Sequence, residues 1–166
     1  MSVIMKLSEG VEWTVHCCAL LANLPEGFAL PASKLAEFFD IPEHYLAKHM
    51  QQMSSAGIVM TKKGPGGGYR LAKPATSITL LEMVEAIDGR ASSFRCTEIR
   101  RQGPSGVKPC AYKIPCGIAR TMNAADKAWR DKLAQTTLAD IQMMGAQEVP
   151  PEQIEKTMNW LKDVLL

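Results

Sequence analysis

Residues 30–72 read LPASKLAEFFDIPEHYLAKHMQQMSSAGIVMTKKGPGGGYRLA and contain the pattern that decides the fold. Pro31 and Pro42 each suit the first position of a helix, where the N–H that proline lacks would have no partner. Apolar residues at three- and four-residue steps then predict a short helix and a longer one. The run from Ile58 to Leu71 predicts two short strands about a glycine-rich turn. The predicted order is helix, turn, helix and hairpin.

Four further helices are predicted outside this stretch. The first runs from about Gly10 to Asn23, and the second begins at a capping box formed by Thr79 and Glu82. A long helix begins at Gly117 and carries an apolar stripe, and a last helix is opened by a proline. The stripe and the opening proline are Ile118, Met122, Ala125, Trp129, Leu133 and Pro151.

The predicted fold class is mainly α with a small β wing. Residues 1–89 are predicted to form a winged helix-turn-helix domain for DNA binding, and residues 90–116 a cysteine-bearing loop rich in Gly and Pro. Residues 117–166 are predicted to supply a dimerisation helix and a C-terminal helix, because a long apolar stripe suits packing on a second copy.

Composition restricts the class of protein. The chain has 166 residues, 46% of them hydrophobic and 22% charged, with a net charge of +2, which is typical of a globular protein rather than a generally basic nucleic-acid coater. No apolar run is long enough for a membrane span, and no signal peptide is recognised, so the expected location is the cytoplasm. In that reducing compartment the five cysteines favour thiols or metal ligands over disulfides.

A winged helix-turn-helix predicts that the longer helix enters the major groove of double-stranded DNA while the wing approaches the backbone or the minor groove. Basic residues are concentrated between positions 34 and 73, so a local positive patch is predicted despite the low net charge. The glycine run is expected to allow a close backbone approach to DNA. A flexible hairpin with solvated lysines is the alternative. The predicted DNA-binding residues are Lys34, His44, Tyr45, Lys48, Gln51, Gln52, Lys62, Lys63, Gly66, Gly67, Gly68 and Arg70.

Two groups of metal-capable residues occur. Cys96, Cys110 and Cys116 are separated by 13 and 5 residues, a spacing that by itself is a weak signal for a metal site. Glu12 and His16 lie one helical turn apart, so they form either a pair of metal ligands or a solvated, helix-stabilising pair. No nucleophile and base constellation, phosphate loop or zinc-protease motif is present, so an enzyme is not predicted.

The stretch YLAKHMQQMSSAGIVMTKKGPGGGYRLAKPATSITLLEMVEAIDG, residues 45–89, resembles the Rrf-two family of bacterial transcription regulators, which includes IscR- and NsrR-like members. The segments VEWTVHCC and CTEIRRQGP resemble RsrR-like, redox-responsive members of that family. The resemblance covers nearly the whole chain. It implies a homodimer that reads a two-fold-related DNA operator and that holds an iron-sulfur cluster near the dimer interface.

The resemblance to RsrR-like members further implies a [2Fe-2S] cluster held by Glu12 and His16 of one chain and by Cys110 and Cys116 of the other. Cys96 is then expected to be a partly buried thiol. Trp13, next to Glu12, is expected to shield the cluster, to relay its redox state, or simply to belong to the core. The predicted function is a redox-responsive, DNA-binding transcription regulator acting as a repressor. A cluster-free regulator of the same fold, based on thiols or zinc, is the alternative.

Cys17 and Cys18 are adjacent on an apolar helix, so their side chains point in directions about 100 degrees apart. Two such side chains do not readily bind one metal ion. Both cysteines are therefore predicted to lie in the core.

Overall fold

The structure, a computed structural model, describes residues 7–166. Within these residues it contains seven α-helices and one two-stranded antiparallel sheet. The helices are α1 (Glu9–Leu21), α2 (Ala32–Phe39), α3 (Glu43–Ser55), α4 (Leu80–Asp88), α5 (Gly117–Ala134), α6 (Leu138–Glu148) and α7 (Pro151–Leu165). The strands are β1 (Val59–Lys62) and β2 (Gly68–Leu71), and short 3-10 turns lie at Ala75–Ser77, Ile99–Arg101 and Pro109–Ala111. The predicted fold class, mainly helical with a small β wing, is confirmed.

The described chain forms two compact units. The winged unit comprises residues 7–89 and 133–166, and the cysteine-loop unit comprises residues 90–132. Residues 133–166 therefore group with α1 to α4 and the wing, whereas the sequence predicts one segment of residues 117–166.

The core of the winged unit is built from the inner faces of its helices. Leu35 of α2, Leu46, Met50 and Met53 of α3, and Met83 of α4 are all fully buried. These residues recur at helical spacing, as the sequence pattern predicted for α2 and α3. Their burial places the opposite, polar face of α3 at the surface.

The prolines that precede α2 and α3 lie one position earlier than predicted. Pro31 and Pro42 occupy the N-cap positions and have extended backbone conformations. Pro151, by contrast, is the first helical residue of α7, as predicted.

The wing hairpin is extended on one side by a short segment of the loop before α2. In β1 and β2, Val59 pairs with Leu71 and Lys62 with Gly68. The amide of Leu30 donates to the carbonyl of Tyr69 at 2.9 Å, and the amide of Tyr69 donates to the carbonyl of Leu30 at 2.7 Å. The wing is thus tied to the loop before α2 rather than projecting freely.

The capping box predicted at the start of α4 is present. The hydroxyl of Thr79 accepts from the amide of Glu82 at 3.2 Å, and the Glu82 carboxylate accepts from the amide of Thr79 at 2.9 Å. Lys73 also donates to this carboxylate at 2.7 Å. Reciprocal bonds of this kind satisfy helix N–H groups that have no partner within the helix.

Helix α6 was not predicted from the sequence. It begins with a second capping box, in which Thr137 and Asp140 exchange bonds of 3.1 Å and 2.8 Å. Leu138 is fully buried, and its amide donates to the carbonyl of Ile78 at 2.8 Å. Helix α7 also packs in this unit, with the Trp160 ring centroid 4.7 Å from that of Phe38. These contacts explain why residues 133–166 group with the winged unit.

The cysteine-loop unit joins an irregular segment to most of α5. The guanidinium of Arg130 donates to the carbonyls of Arg90 and Ala91 at 3.2 Å each, which fastens the start of the loop to the helix. Ala119 is the buried residue of α5, whereas Ile118, Met122 and Trp129 of the apolar stripe expose 67%, 41% and 37% of their surface, and Leu133 is half-buried. None of the helices among residues 7–166 has the length and apolar character needed to cross a bilayer.

Candidate functional site

Helix α3 presents a polar outer face. His44, Tyr45, Lys48 and Gln51 are all exposed, and their spacing places them on one side of the helix, opposite the buried Leu46. The His44 and Tyr45 ring centroids lie 3.9 Å apart. Hydrogen-bonding and cationic side chains on one exposed helical face have the chemistry needed to read base edges and phosphates.

Gln52, another predicted DNA contact, is engaged within the protein. Its side chain is half-buried, with Oε1 2.9 Å from Nδ1 of His49 and Nε2 3.5 Å from the carbonyl of Ile87. The nearby outer face is formed instead by Lys48 and Gln51. A contact between Gln52 and DNA stays a prediction that requires this amide to exchange partners.

The basic residues near the wing differ in their surroundings. Lys62 donates to the carbonyl of Gly27 at 2.8 Å, and Lys34 forms an ion pair with Glu37 at 2.7 Å. Lys63 is exposed beyond the end of β1, and Arg70 is half-buried on β2. Lys63 is therefore a better candidate for a pure phosphate contact than Lys62, which also anchors the wing.

The glycines of the wing are required by the protein's own geometry. Gly66 has a φ of +68°, and Gly68 has a φ of +138°. A Cβ on Gly67 would lie 2.5 Å from the carbonyl oxygen of Lys62, and one on Gly68 would lie 2.2 Å from the carbonyl carbon of Leu30. The sequence interpretation, a close approach to DNA, stays a prediction, but the turn and the Leu30 contact already explain the absence of side chains here.

Helix α1 carries Glu12 and His16 on its exposed side. Both residues are exposed one turn apart, and the ring of His16 lies 5.8 Å from that of Phe39. Trp13 is half-buried, so it contributes to the packing of this helix. The structure thus brings an acid and an imidazole to one accessible surface, as their spacing predicted.

Cys17 and Cys18 lie in the core, which confirms their predicted place. Both have no exposed surface. Burial raises the pKa of the Cys17 thiol to about 12, and it also raises the pKa of Cys18. A thiol in such an environment stays protonated and unreactive near neutral pH.

Cys116 lies directly before α5, where the free N–H groups of the helix start are directed at it. Hydrogen bonds from the amides of Ala119 and Ile118, together with the charge of Arg100, lower the pKa of the Cys116 thiol against the opposing effects of burial and Glu98. The thiolate, which is the form that binds metals, is therefore favoured at this position. Cys110 lies in the 3-10 turn at Pro109–Ala111 and is exposed.

A polar cluster organises the remainder of the cysteine loop. Arg100 makes bonds of 2.9 Å and 3.0 Å to the two carboxylate oxygens of Glu98, and its guanidinium carbon lies 4.2 Å from the centroid of the Tyr112 ring. The Tyr112 hydroxyl donates to the carbonyl of Arg100 at 2.6 Å. Glu98 also contacts Cys96, whose sulfur accepts from the Glu98 amide at 3.4 Å. These contacts hold the two 3-10 turns of the loop together.

The predicted metal ligands are divided between the two units. Glu12 and His16 belong to the winged unit, and Cys110 and Cys116 belong to the cysteine-loop unit. Within residues 7–166 of the single chain, no group of three or more His, Cys, Asp or Glu side chains could hold a metal ion. The four-residue ligand set therefore stays a prediction.

Comparison with known proteins identifies the family. The Rrf2 (Rrf-two) family model, described as an iron-dependent transcriptional regulator, matches residues 7–143. The chain is also 32% identical over 137 residues to YwgB of Bacillus subtilis (strain 168), an HTH-type transcriptional regulator by name, with 82% of this chain and 84% of YwgB covered.

The chain belongs to the Rrf2 family. It is a transcriptional regulator with a DNA-binding winged helix, not an enzyme. Solved structures show the same fold. IscR of T. potens superimposes with a TM-score of 0.64 at 19% identity, covering 88% of this chain and 92% of that one. CymR, the global cysteine regulator of B. subtilis, superimposes with a TM-score of 0.60 at 22% identity, covering 85% and 98%.

Proposed function

We propose that this Rrf2-family regulator is a cytoplasmic homodimer whose affinity for a double-stranded DNA operator is controlled by a [2Fe-2S] cluster. Glu12 and His16 of one protomer would hold the cluster together with Cys110 and Cys116 of the partner subunit. The observation that carries the proposal is that two sets of metal-binding groups reach the surface. One set is the carboxylate and imidazole on one face of α1, and the other is the two sulfurs of the cysteine loop. The description of the family as an iron-dependent transcriptional regulator supports it.

The chemistry of these residues fits such a cluster. Thiolates are the usual ligands of iron-sulfur clusters, and the backbone amides at the start of α5 favour the thiolate of Cys116. Imidazole and carboxylate are accepted ligands for iron, and both are accessible on α1. When bound, a [2Fe-2S] cluster supplies a one-electron redox change.

The exposed stripe of α5 supports the homodimer. Ile118, Met122 and Trp129 expose 67%, 41% and 37% of their surface and follow one side of an 18-residue helix. Aligned apolar side chains on one helical face suit pairing with the same face of a second copy. A dimer would also place two copies of α3 on one operator, with their separation matched to about one DNA turn.

The experiment that tests the cluster begins with anaerobic purification, visible absorption and assays of iron and acid-labile sulfide. We expect a coloured protein that loses its chromophore in the Cys110→Ala, Cys116→Ala and Glu12→Gln variants. Cys96→Ala and Glu9→Gln are matched controls, because Cys96 is not in the proposed ligand set and Glu9 is an exposed carboxylate of the same helix. A wild-type spectrum from Cys116→Ala would refute the assignment.

A mixed dimer tests whether the ligands come from two chains. In a dimer of one Glu12→Gln subunit and one Cys116→Ala subunit, one site keeps all four ligands and the other lacks two. We therefore expect the mixed dimer to regain about half of the wild-type iron, although both parent homodimers bind none. Absence of iron from the mixed dimer would refute the arrangement across two subunits.

A cluster-free regulator that uses thiols or zinc is a second candidate. The lowered pKa of Cys116 favours it independently, since a stabilised thiolate is also the form that reacts with oxidants and binds zinc. A colourless, iron-free protein after anaerobic purification would select this candidate, with zinc content separating its two forms.

A further inference from the structure

Helices α1 and α3 meet at a contact that leaves no room for a side chain on Gly10 while the ring of His49 keeps its position. A Cβ built on Gly10 of α1 would lie 2.6 Å from both Cε1 and Nε2 of His49 in α3. It would also lie 2.9 Å from Cδ2 of the same ring. The imidazole therefore lies directly against α1 at Gly10, and the space between the two helices at this point is occupied by the ring.

The ring of His49 is fixed from further directions. Trp13 of α1 contacts it edge-on, with the ring centroids 6.2 Å apart at 73°. On the other side, Nδ1 lies 2.9 Å from Oε1 of Gln52, whose Nε2 lies 3.5 Å from the carbonyl of Ile87 in α4. Since Oε1 is an acceptor, Nδ1 donates in this arrangement. His49 and Gln52 together thus link α3 to α1 and to α4.

This junction lies between two functional surfaces. Gly10 and Trp13 flank Glu12 on α1, and His49 directly follows Lys48 of the outer face of α3. The start of α1 is also tied to the end of α4, where Ser8 donates to Asp88 through its amide at 3.0 Å and its hydroxyl at 2.6 Å. A shift of α1 towards α3 would therefore displace the His49 ring that lies against Gly10.

We propose that His49 is the positioning residue that sets the recognition helix α3 against α1. Displacement of the Glu12 and His16 face changes DNA affinity through this ring. The first statement concerns only the packing of the winged unit. The second rests on the proposed function, because it requires a ligand on Glu12 and His16.

A size exchange across the contact tests the first statement. The probe is a DNA duplex selected from a random-sequence pool by the wild-type protein, and the measurement is its Kd with protein purified anaerobically. Gly10→Ala forces the ring away, so we expect affinity to fall about tenfold or more. In the double variant Gly10→Ala, His49→Ala, the new methyl group occupies space that the ring has left, so we expect affinity within about threefold of wild type.

The matched control is Gly145→Ala in α6, where an added Cβ meets no atom within 4 Å. Both glycine substitutions improve helix propensity, so only the contact distinguishes them. Circular dichroism verifies that each variant is folded. Wild-type affinity for Gly10→Ala, or failure of the double variant to recover, would overturn the positioning role whether or not the protein contains iron.

A second measurement tests the coupling. The ratio of Kd values for the oxidised and reduced protein is compared between wild type and His49→Ala at unchanged visible absorption. Allosteric ratios are typically about 5- to 150-fold, and we expect His49→Ala to reduce the ratio to within about twofold of one. His49→Phe keeps a ring against Gly10 and should retain most of the ratio. If His49→Ala does not fold, Gly10→Ala replaces it, because it displaces the same ring.

The outcomes separate the two proposals. A wild-type ratio in a coloured His49→Ala protein would overturn the coupling through His49 and leave the cluster assignment intact. A colourless wild-type protein would overturn the proposed cluster, and the size exchange would then decide the role of His49 alone.

Discussion

Replacing Gly68 by Ala tests whether the wing glycines serve the fold itself. The φ of +138° at Gly68 lies in a region that other residues rarely adopt, at a cost of about 1–3 kcal/mol. The added Cβ would lie 2.2 Å and 2.3 Å from the carbonyl carbon and oxygen of Leu30, so the two segments must separate. Separation removes the two hydrogen bonds between Leu30 and Tyr69, worth about 0.5–1.5 kcal/mol each. The expected loss is about 2–6 kcal/mol.

Two glycine variants provide a scale for this loss. Gly66 has a φ of +68° but no atom within 4 Å of an added Cβ, so Gly66→Ala should cost only the backbone strain of about 1–2 kcal/mol. Gly145→Ala, in a helix with open space around it, should stabilise by about 0.5–1 kcal/mol. The assay is urea unfolding at one fixed protein concentration, since dimerisation would make apparent stability depend on concentration.

The order of stability of the three variants tests whether Gly68 lies as close to Leu30 as the structure shows. We expect Gly145→Ala to be the most stable, then Gly66→Ala, then Gly68→Ala. Equal stability of the Gly66 and Gly68 variants would show that the close approach to Leu30 is absent in solution. A Gly68→Ala protein of wild-type stability that binds DNA poorly would favour the original interpretation, in which the glycine run exists for contact with DNA.

Three further predictions concern the wing, the cysteine loop and the last helices. Lys63→Ala should reduce the slope of log affinity against log salt by about one, measured by salt titration, and should leave the free energy of unfolding unchanged. Lys62→Ala should reduce the same slope and should also destabilise the wing by about 1 kcal/mol, measured by urea unfolding. Arg100→Gln should raise the midpoint pH for alkylation of Cys116 in the metal-free protein, because a cation that favours the thiolate is lost; an unchanged midpoint would contradict this. Thr137→Ala should cost about 1 kcal/mol through the lost cap, measured by urea unfolding against wild type.

The same thiolate gives a pH dependence of stability. The folded-state pKa of Cys116 is lowered below its ordinary value of 9.0. The Cys116 thiolate therefore contributes its full stabilisation above pH 9.0, the ordinary pKa, and this stabilisation is lost as the pH falls through the lowered pKa of the folded state.

Local signals predicted the wing and the first four helices. The capping box at Thr79 and Glu82 and the glycine run each specify a structure within a few residues, so single-sequence reasoning was sufficient. Helix α6 was not predicted because its apolar residues do not lie on one buried face. Leu138 is fully buried, whereas Met143 and Met144 expose 58% and 47% of their surface. Its one local signal was the Thr137 and Asp140 box, which has the spacing already used at Thr79.

Contacts between distant residues account for what the sequence did not reveal. The bond from Lys62 to the carbonyl of Gly27 joins positions 35 residues apart, so nothing local distinguishes Lys62 from Lys63. The contact between Gly10 and His49 depends on how closely two helices cross, which periodicity does not determine. The placement of Glu12 and His16 on one face of α1 was predictable from their spacing alone. That they share a cluster with cysteines of the partner subunit was suggested only by the family resemblance.

The two groups of proposed ligands are held in physically different ways, and the difference suits a sensor. Helix α1 is anchored by buried residues such as Val11 and Cys18 and by the close approach of His49 to Gly10, so its position is tied to the core of the winged unit. The cysteine loop is held by surface polar contacts around Arg100 and contains no long helix before α5. A flexible loop can adjust its sulfurs to a bound group at little cost, whereas a rigid helix cannot absorb a displacement locally. Because Gly10 of α1 lies against His49 of α3, the proposed coupling would pass strain at the exposed face of α1 to α3 rather than to the cysteine loop.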